Sequence, residues 1–174
     1  TVTYGLEKPG LHIGEGREHA GRVHRCDIAI PNGVLDAVGP QTGRCDELTA
    51  VQRLPERSHR GHKGTYGHVG VVGGFAGKEG AAVLAALGAM HGAAGLVTWV
   101  GTGSFESVQR PPEIMTRSWD GEGLEPRATV FVVGPGLGQT QTAKQALSGA
   151  ITSGNPCVLD ADALNILARE PMAL

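Results

Sequence analysis

His68-Val69-Gly70-Val71-Val72-Gly73-Gly74, then Gly80 to His91, then Leu96 to Val100, is the stretch from which the fold can be read. An apolar run closing on glycines predicts a buried strand over 68–74, the alanine-rich run a helix over 80–91, and the next apolar run a strand over 96–100. Together they form a βαβ unit, whose crossover is expected to be right-handed. Glu113 to Arg117 predicts a further short strand. Thr129 to Val133 predicts a strand running into Gly134-Pro135-Gly136-Leu137-Gly138, followed by a helix over 140–153, a strand over 157–159 and the start of a helix over 163–169. Strands alternating with helices predict an α/β fold with a doubly wound, mainly parallel sheet. Its second half is expected to lie beyond residue 174, which makes this stretch a truncated domain.

Composition agrees with that reading. The 174 residues include 28 glycines but only 4% aromatics, so the core has to be built from Ala, Val, Leu and Ile with close backbone passages. With 15 Lys and Arg against 17 Asp and Glu the net charge is −2, which lacks the basic footprint of a nucleic-acid binder. Cys26, Cys45 and Cys157 show no CxxC spacing and predict neither a disulfide frame nor a zinc site, so a reducing cytoplasm is expected. Ala81 to Val100 is long and apolar enough to be weighed as a membrane span. Gly88, Gly92 and Gly95 break it where a helix would end and a strand begin, and no membrane role is expected.

The first third has a different texture. Thr1 to Tyr4 and Arg22 to Ile30 predict two strands, joined by a glycine-rich connection over 5–17 in which no helical pattern is visible. Turn residues dominate from Pro31 to Gly43. Asp46 and Glu47 then open a short helix that ends at Leu54 and Pro55, and a polar, basic stretch leads to Lys63. A domain boundary is expected between Pro31 and Gly61.

Three loops follow the C-terminal ends of predicted parallel strands, where open α/β sheets bind ligands. In the first, over 73–82, glycines allow close backbone approach and the helix start offers amides to an anion; it is neither a Walker A loop nor a GxGxxG fingerprint. The second, Gly134 to Gly138, holds more glycine than a turn requires and is read as binding. In the third, Asp162 is explained as a helix N-cap, whereas Asp160 and Asn165 are candidates for the crevice. The histidines carry less. His59 and His62 read as a solvated basic segment, His91 as a helix C-terminal residue, and His12, His19, His24 and His68 have no identifiable partner. No nucleophile elbow or HExxH is present.

Six segments in this order resemble the NAD(P)H-hydrate dehydratases: HKGTYG at 62–67, VVGG with GAAVLAA, GAAGLVT at 92–98, PEIM at 112–115, VVGPGLG at 132–138 and VLDADALNILA at 158–168. The resemblance implies a ribokinase-like α/β enzyme that uses ADP or ATP, with Mg²⁺, to dehydrate the S epimer of hydrated NADH or NADPH (NADHX, NADPHX). Residues 1–38 resemble the end of the NAD(P)H-hydrate epimerase domain that precedes the dehydratase in bifunctional members, and 39–174 the first half of the dehydratase. Carried over residue by residue, Ala81 and Gly136 would contact the hydrated dinucleotide, with Asp160 and Asn165 as further crevice residues. A homo-oligomer is expected for the full-length parent.

The departures also matter. The family's HPGE segment, its lysine-containing nucleotide loop and the GTGD motif with its catalytic aspartate are absent from 1–174. Gly101-Thr102-Gly103-Ser104 imitates the last but lacks the Asp and comes too early. No catalytic residue or metal ligand is therefore expected within this stretch, which by itself should turn over little or nothing. Two other readings are weighed beside it: a ribokinase-like small-molecule kinase, such as a hydroxyethylthiazole kinase, and a non-catalytic dinucleotide-binding module.

Overall fold

The computed structural model describes residues 1–39, 42–54, 56–102 and 105–171. The chain divides into two compact units, 1–55 and 56–174.

In the first unit, β1 (Val2–Tyr4) and β2 (His24–Cys26) pair in parallel. A parallel pair needs a crossover, and here it contains a helix, α1 (Glu15–Ala20), where the sequence showed none. Only Ala20 of α1 is buried, so no apolar periodicity marks it; its signals are Glu15 and Glu18 near the positive end and Arg17 and His19 near the negative one. The turn-rich segment likewise contains α2 (Asn32–Val38), which starts after Pro31 and stops at Gly39 with φ of 57°. Those turn residues are the two ends of a seven-residue helix. The expected helix near 47 is α3 (Glu47–Arg53), whose N-cap Asp46 accepts from the Thr49 amide at 2.9 Å. Its proposed stop at Pro55 lies outside the described residues.

The second unit is built on a five-stranded sheet: β3 (His68–Val72), β4 (Leu96–Gly101), β5 (Ile114–Ser118), β6 (Val130–Val133) and β7 (Cys157–Leu159). All neighbours are parallel, in the order β5-β4-β3-β6-β7. From β3 the chain steps outward to β4 and β5, then returns to the other side of β3 for β6 and β7. The order therefore reverses between β3 and β6, and that is where a ligand crevice opens in such sheets.

Because successive side chains of a strand point to opposite faces, Val71 and Val72 feed two separate cores. On one face, α4 (Glu79–His91) packs Ala82, Val83 and Ala86 against Val71, Val97, Trp99 and Ile114. On the other, α5 (Gln141–Thr152) and α6 (Ala161–Arg169) pack Ala143, Ala146, Leu147, Ala163 and Ile166 against Val72, Val100, Phe131 and Val133. Helix α4 is apolar nearly all round, yet it is only 13 residues long, and no described helix is long and apolar enough to cross a membrane. A parallel sheet with helices packed on both faces is the α/β layering expected.

His68, for which the sequence offered no partner, is buried at the start of β3 with its Nε2 2.7 Å from Thr98 Oγ1 of β4. His62 is also more than a solvated residue. Its Nδ1 accepts from the Gly64 amide and its own amide donates to Thr65 Oγ1, a capping box on the single 3₁₀ turn over 63–66.

Candidate functional site

The first two glycine loops meet at the reversal point and are locked together through their backbones. Gly134 donates to the Val72 carbonyl at 3.1 Å, Gly74 to Pro135 at 2.9 Å and Phe75 to Gly136 at 2.9 Å. Gly73 faces Pro135 so closely that a Cβ there would lie 2.2 Å from the proline carbonyl oxygen. Gly134, with φ of 124°, would place a Cβ 1.8 Å from the Asp160 carbonyl oxygen. At these positions glycine therefore serves the contact of one loop with the next. Below them, Trp99 Nε1 donates to the Gly73 carbonyl at 2.8 Å and seals the floor from the α4 side.

Ala81 and Gly136, the two residues carried over most directly, lie against each other: a Cβ at Gly136 would be 3.1 Å from the Ala81 Cβ and 2.6 Å from the Lys78 carbonyl oxygen. Ala81 donates its amide to Lys78 at 3.1 Å, so what it offers a ligand is a small methyl surface. Asp160 ends β7 with its side chain exposed and makes no cap bond to α6. Asn165 is exposed one helical turn beyond Asp162 and takes no part in the contacts joining the loops.

Asp162 departs from its expected role. The N-cap position belongs to Asp160, and Asp162 sits in the first turn of α6. Its Oδ2 accepts from the Gly138 amide at 2.7 Å and lies 3.4 Å from Lys78 Nζ, while Oδ1 lies 3.4 Å from Gln139 Nε2. Burial pushes this carboxyl upward, but the Gly138 amide, Gln139 and Lys78 together outweigh it and hold it below the ordinary carboxylate value. One carboxylate thus touches all three loops. Lys78, unmarked in the sequence, is half exposed beside it. Only the spacing Lys78, Gly138, Asp162 could have hinted at this meeting, and spacing across three loops is silent without the fold.

Gly101 closes β4 under Trp99; Gly103 and Ser104 of the GTGS imitation lie outside the described residues. Among the described residues no three His, Cys, Asp or Glu side chains come together as a metal-ion cluster.

A family model described as NAD(P)H-hydrate dehydratase matches residues 69–173, which takes in the sheet, both glycine loops and α6. The chain belongs to the NAD(P)H-hydrate dehydratase family. It is 36% identical over 178 residues to a bifunctional NAD(P)H-hydrate repair enzyme of Coxiella burnetii, covering 98% of this chain and 36% of that protein. It spans about a third of the length of the curated relatives it matches. Among solved structures it resembles an ADP/ATP-dependent NAD(P)H-hydrate dehydratase from Bacillus subtilis co-crystallised with ATP and Mg²⁺. The TM-score is 0.61 and the identity 33%, over 68% of this chain and 46% of the other. A ribokinase-like protein from Enterococcus faecalis shares the fold, with a TM-score of 0.63 at 22% identity over 72% and 47% of the two chains. Within the dehydratase family, the matched region begins at Val69, so the first unit lies ahead of it.

Proposed function

We propose that 39–174 forms the hydrate-binding side of a nucleotide-dependent NAD(P)H-hydrate dehydratase, and that 1–38 is the end of an epimerase domain of the same bifunctional repair enzyme. The observation that carries this is the pair of interlocked glycine loops at the strand-order reversal, with Ala81 and Gly136 in one wall. A small, backbone-lined wall suits the rings of a hydrated dinucleotide; Asp160, which follows β7 beside Gly134, and Asn165, further along α6, are the remaining candidates for contact with it.

The chemistry asked of such an enzyme is the loss of water from a ring carbon. Hydroxide is a poor leaving group. In phosphoryl transfer the ring hydroxyl gives up its proton and bonds the terminal phosphorus of ADP or ATP as AMP or ADP departs, so that the leaving group becomes phosphate. The ring nitrogen lone pair expels it, and loss of the neighbouring ring proton to a base then restores the double bond. Mg²⁺ on the nucleotide neutralises charge in such transfers. Because the family's catalytic GTGD motif does not occur within 1–174, the role proposed for this stretch is to bind and orient the dinucleotide. The cytoplasm and a homo-oligomeric parent belong to the same reading.

The test follows the near-ultraviolet absorption band that hydrated NADH lacks and NADH regains. Hydrated NADH, Mg²⁺ and ADP or ATP are supplied to this chain and to a version extended through the rest of the domain. Recovery by the extended protein alone is expected. Recovery by this chain alone would move the catalytic base into 1–174, with Asp160 and Asp162 the first to replace. Recovery by neither, with phosphorylation of a small alcohol instead, would replace the reading with a kinase.

A further inference from the structure

We propose that Asp162 is the positioning residue of the crevice, its carboxylate clamping the far end of the 134–138 loop to α6 and to the Lys78 loop. An acidic residue in the first turn of a helix ordinarily serves that helix, through its amides or its dipole. Here the bonds run outward. The Asp162 side chain is 16% exposed, and its partners are Gly138, Gln139 and Lys78, none of them in α6.

The backbone is bent to make this possible at both ends of the shortest bond. Ala161, just before Asp162, has φ of 45°, a left-handed conformation uncommon for a residue with a Cβ. Gly138 has φ of 75° with open space where a Cβ would stand. Glycine is needed there for the conformation that turns its amide toward Asp162, and not for room. The near half of the loop is fixed by the bonds that Pro135 and Gly136 receive from Gly74 and Phe75. Its far half, where the chain turns into α5, depends on the bond from Gly138 to Asp162. Releasing it lets the segment after Gly136 swing away from α6 and loosens the seat of Gly136 against Ala81. The consequence for ligand binding rests on the dinucleotide reading above; the clamp rests on the geometry alone.

Two readouts separate the two. The first is amide hydrogen exchange of the 174-residue chain without ligand, with Asp162→Ala, Asp162→Asn and Lys78→Met beside it. Hydrogen bonds to charged groups predict that Gly138 exchanges about tenfold or more faster in Asp162→Ala. In Asp162→Asn the amide oxygen still accepts and restores most of the protection, and in Lys78→Met the protection stays. Unchanged Gly138 exchange in a folded Asp162→Ala variant overturns the clamp. The second readout is calorimetric titration with the S epimer of hydrated NADPH. Affinity is expected to fall about tenfold in Asp162→Ala and to recover in Asp162→Asn. A melting temperature that drops while affinity holds would reduce Asp162 to a structural residue. If the unaltered chain binds no hydrated NADPH, the dinucleotide reading fails while the exchange experiment still decides the clamp.

Discussion

His68 is the one histidine buried among the described residues. Burial pushes its pKa down, Glu125 opposes that shift and Arg127 adds to it, with the net result below the ordinary histidine value. Above about pH 6.5 the ring is neutral in folded and unfolded chains alike, and the fold has its full stability. As pH falls below that value the unfolded chain takes up a proton that the folded one resists, so stability is lost toward the depressed folded pKa. Urea unfolding between pH 7.5 and 5 is expected to show this loss, and His68→Gln a flatter profile. Equal slopes for the two proteins would exclude His68 as the source. At this scale the sequence was legible only in part. Ala81 and Gly136 could be singled out because glycine and alanine in a strand-to-helix loop carry a recognisable backbone signal. The partnership of His68 with Thr98 was invisible, because it depends on the pairing register of β3 with β4. Lys78 and Asp162 stand 84 positions apart, and nothing in either segment names the other.

Among the elements, legibility followed burial except at α3, which buries no residue and was read from its Asp46 and Glu47 start. Strands β3, β4 and β6 and helices α4 and α5 carry long apolar patterns, and their bounds agree with expectation to within a residue or two. Helices α1 and α2 bury one residue or none; with no stripe to bury, they leave only end signals, which read equally well as turns. Helix α5 shows how much such an end contributes. Its N-cap Thr140 accepts from the Ala143 amide at 3.2 Å, and Ala143 is itself fully buried against the β6 face. Thr140→Ala is expected to cost about 1 kcal/mol, read as a shift in urea midpoint at unchanged slope. A change in slope would instead mean that the start of α5 shapes the denatured chain or breaks two-state behaviour.

For the molecule as a whole, both apolar clusters lie within 56–174. In the first unit Thr3 and Ala20 are the buried residues among those described, whereas Val2, Tyr4, Ile13, Ile28, Val34 and Val38 are exposed. Cooperative unfolding should therefore reside in the second unit. A protein consisting of 56–174 is expected to melt within about 3 °C of the full 174 residues, the shift that about 1 kcal/mol produces in a protein of this size. A drop of ten degrees or more, or failure to fold, would show that 1–55 contributes stability its sparse core does not account for. The α/β layering was readable at this scale because alternation of buried strands and helices permits few topologies. The change in texture was readable only as the interval 31–61, because the short, exposed helices α2 and α3 inside it leave no buried pattern to mark where it falls.

Both tryptophans of the chain touch the same short loop. Trp99 holds the Gly73 carbonyl through Nε1 from one face of the sheet, and Trp119 stacks on Phe75 from the other with ring centroids 6.3 Å apart. An indole's emission responds to the polarity and hydrogen bonding around it. A ligand that shifts residues 73–75 would therefore alter the intrinsic fluorescence of both rings at once, and the crevice carries its own optical reporter, with one sensor on each side of the sheet.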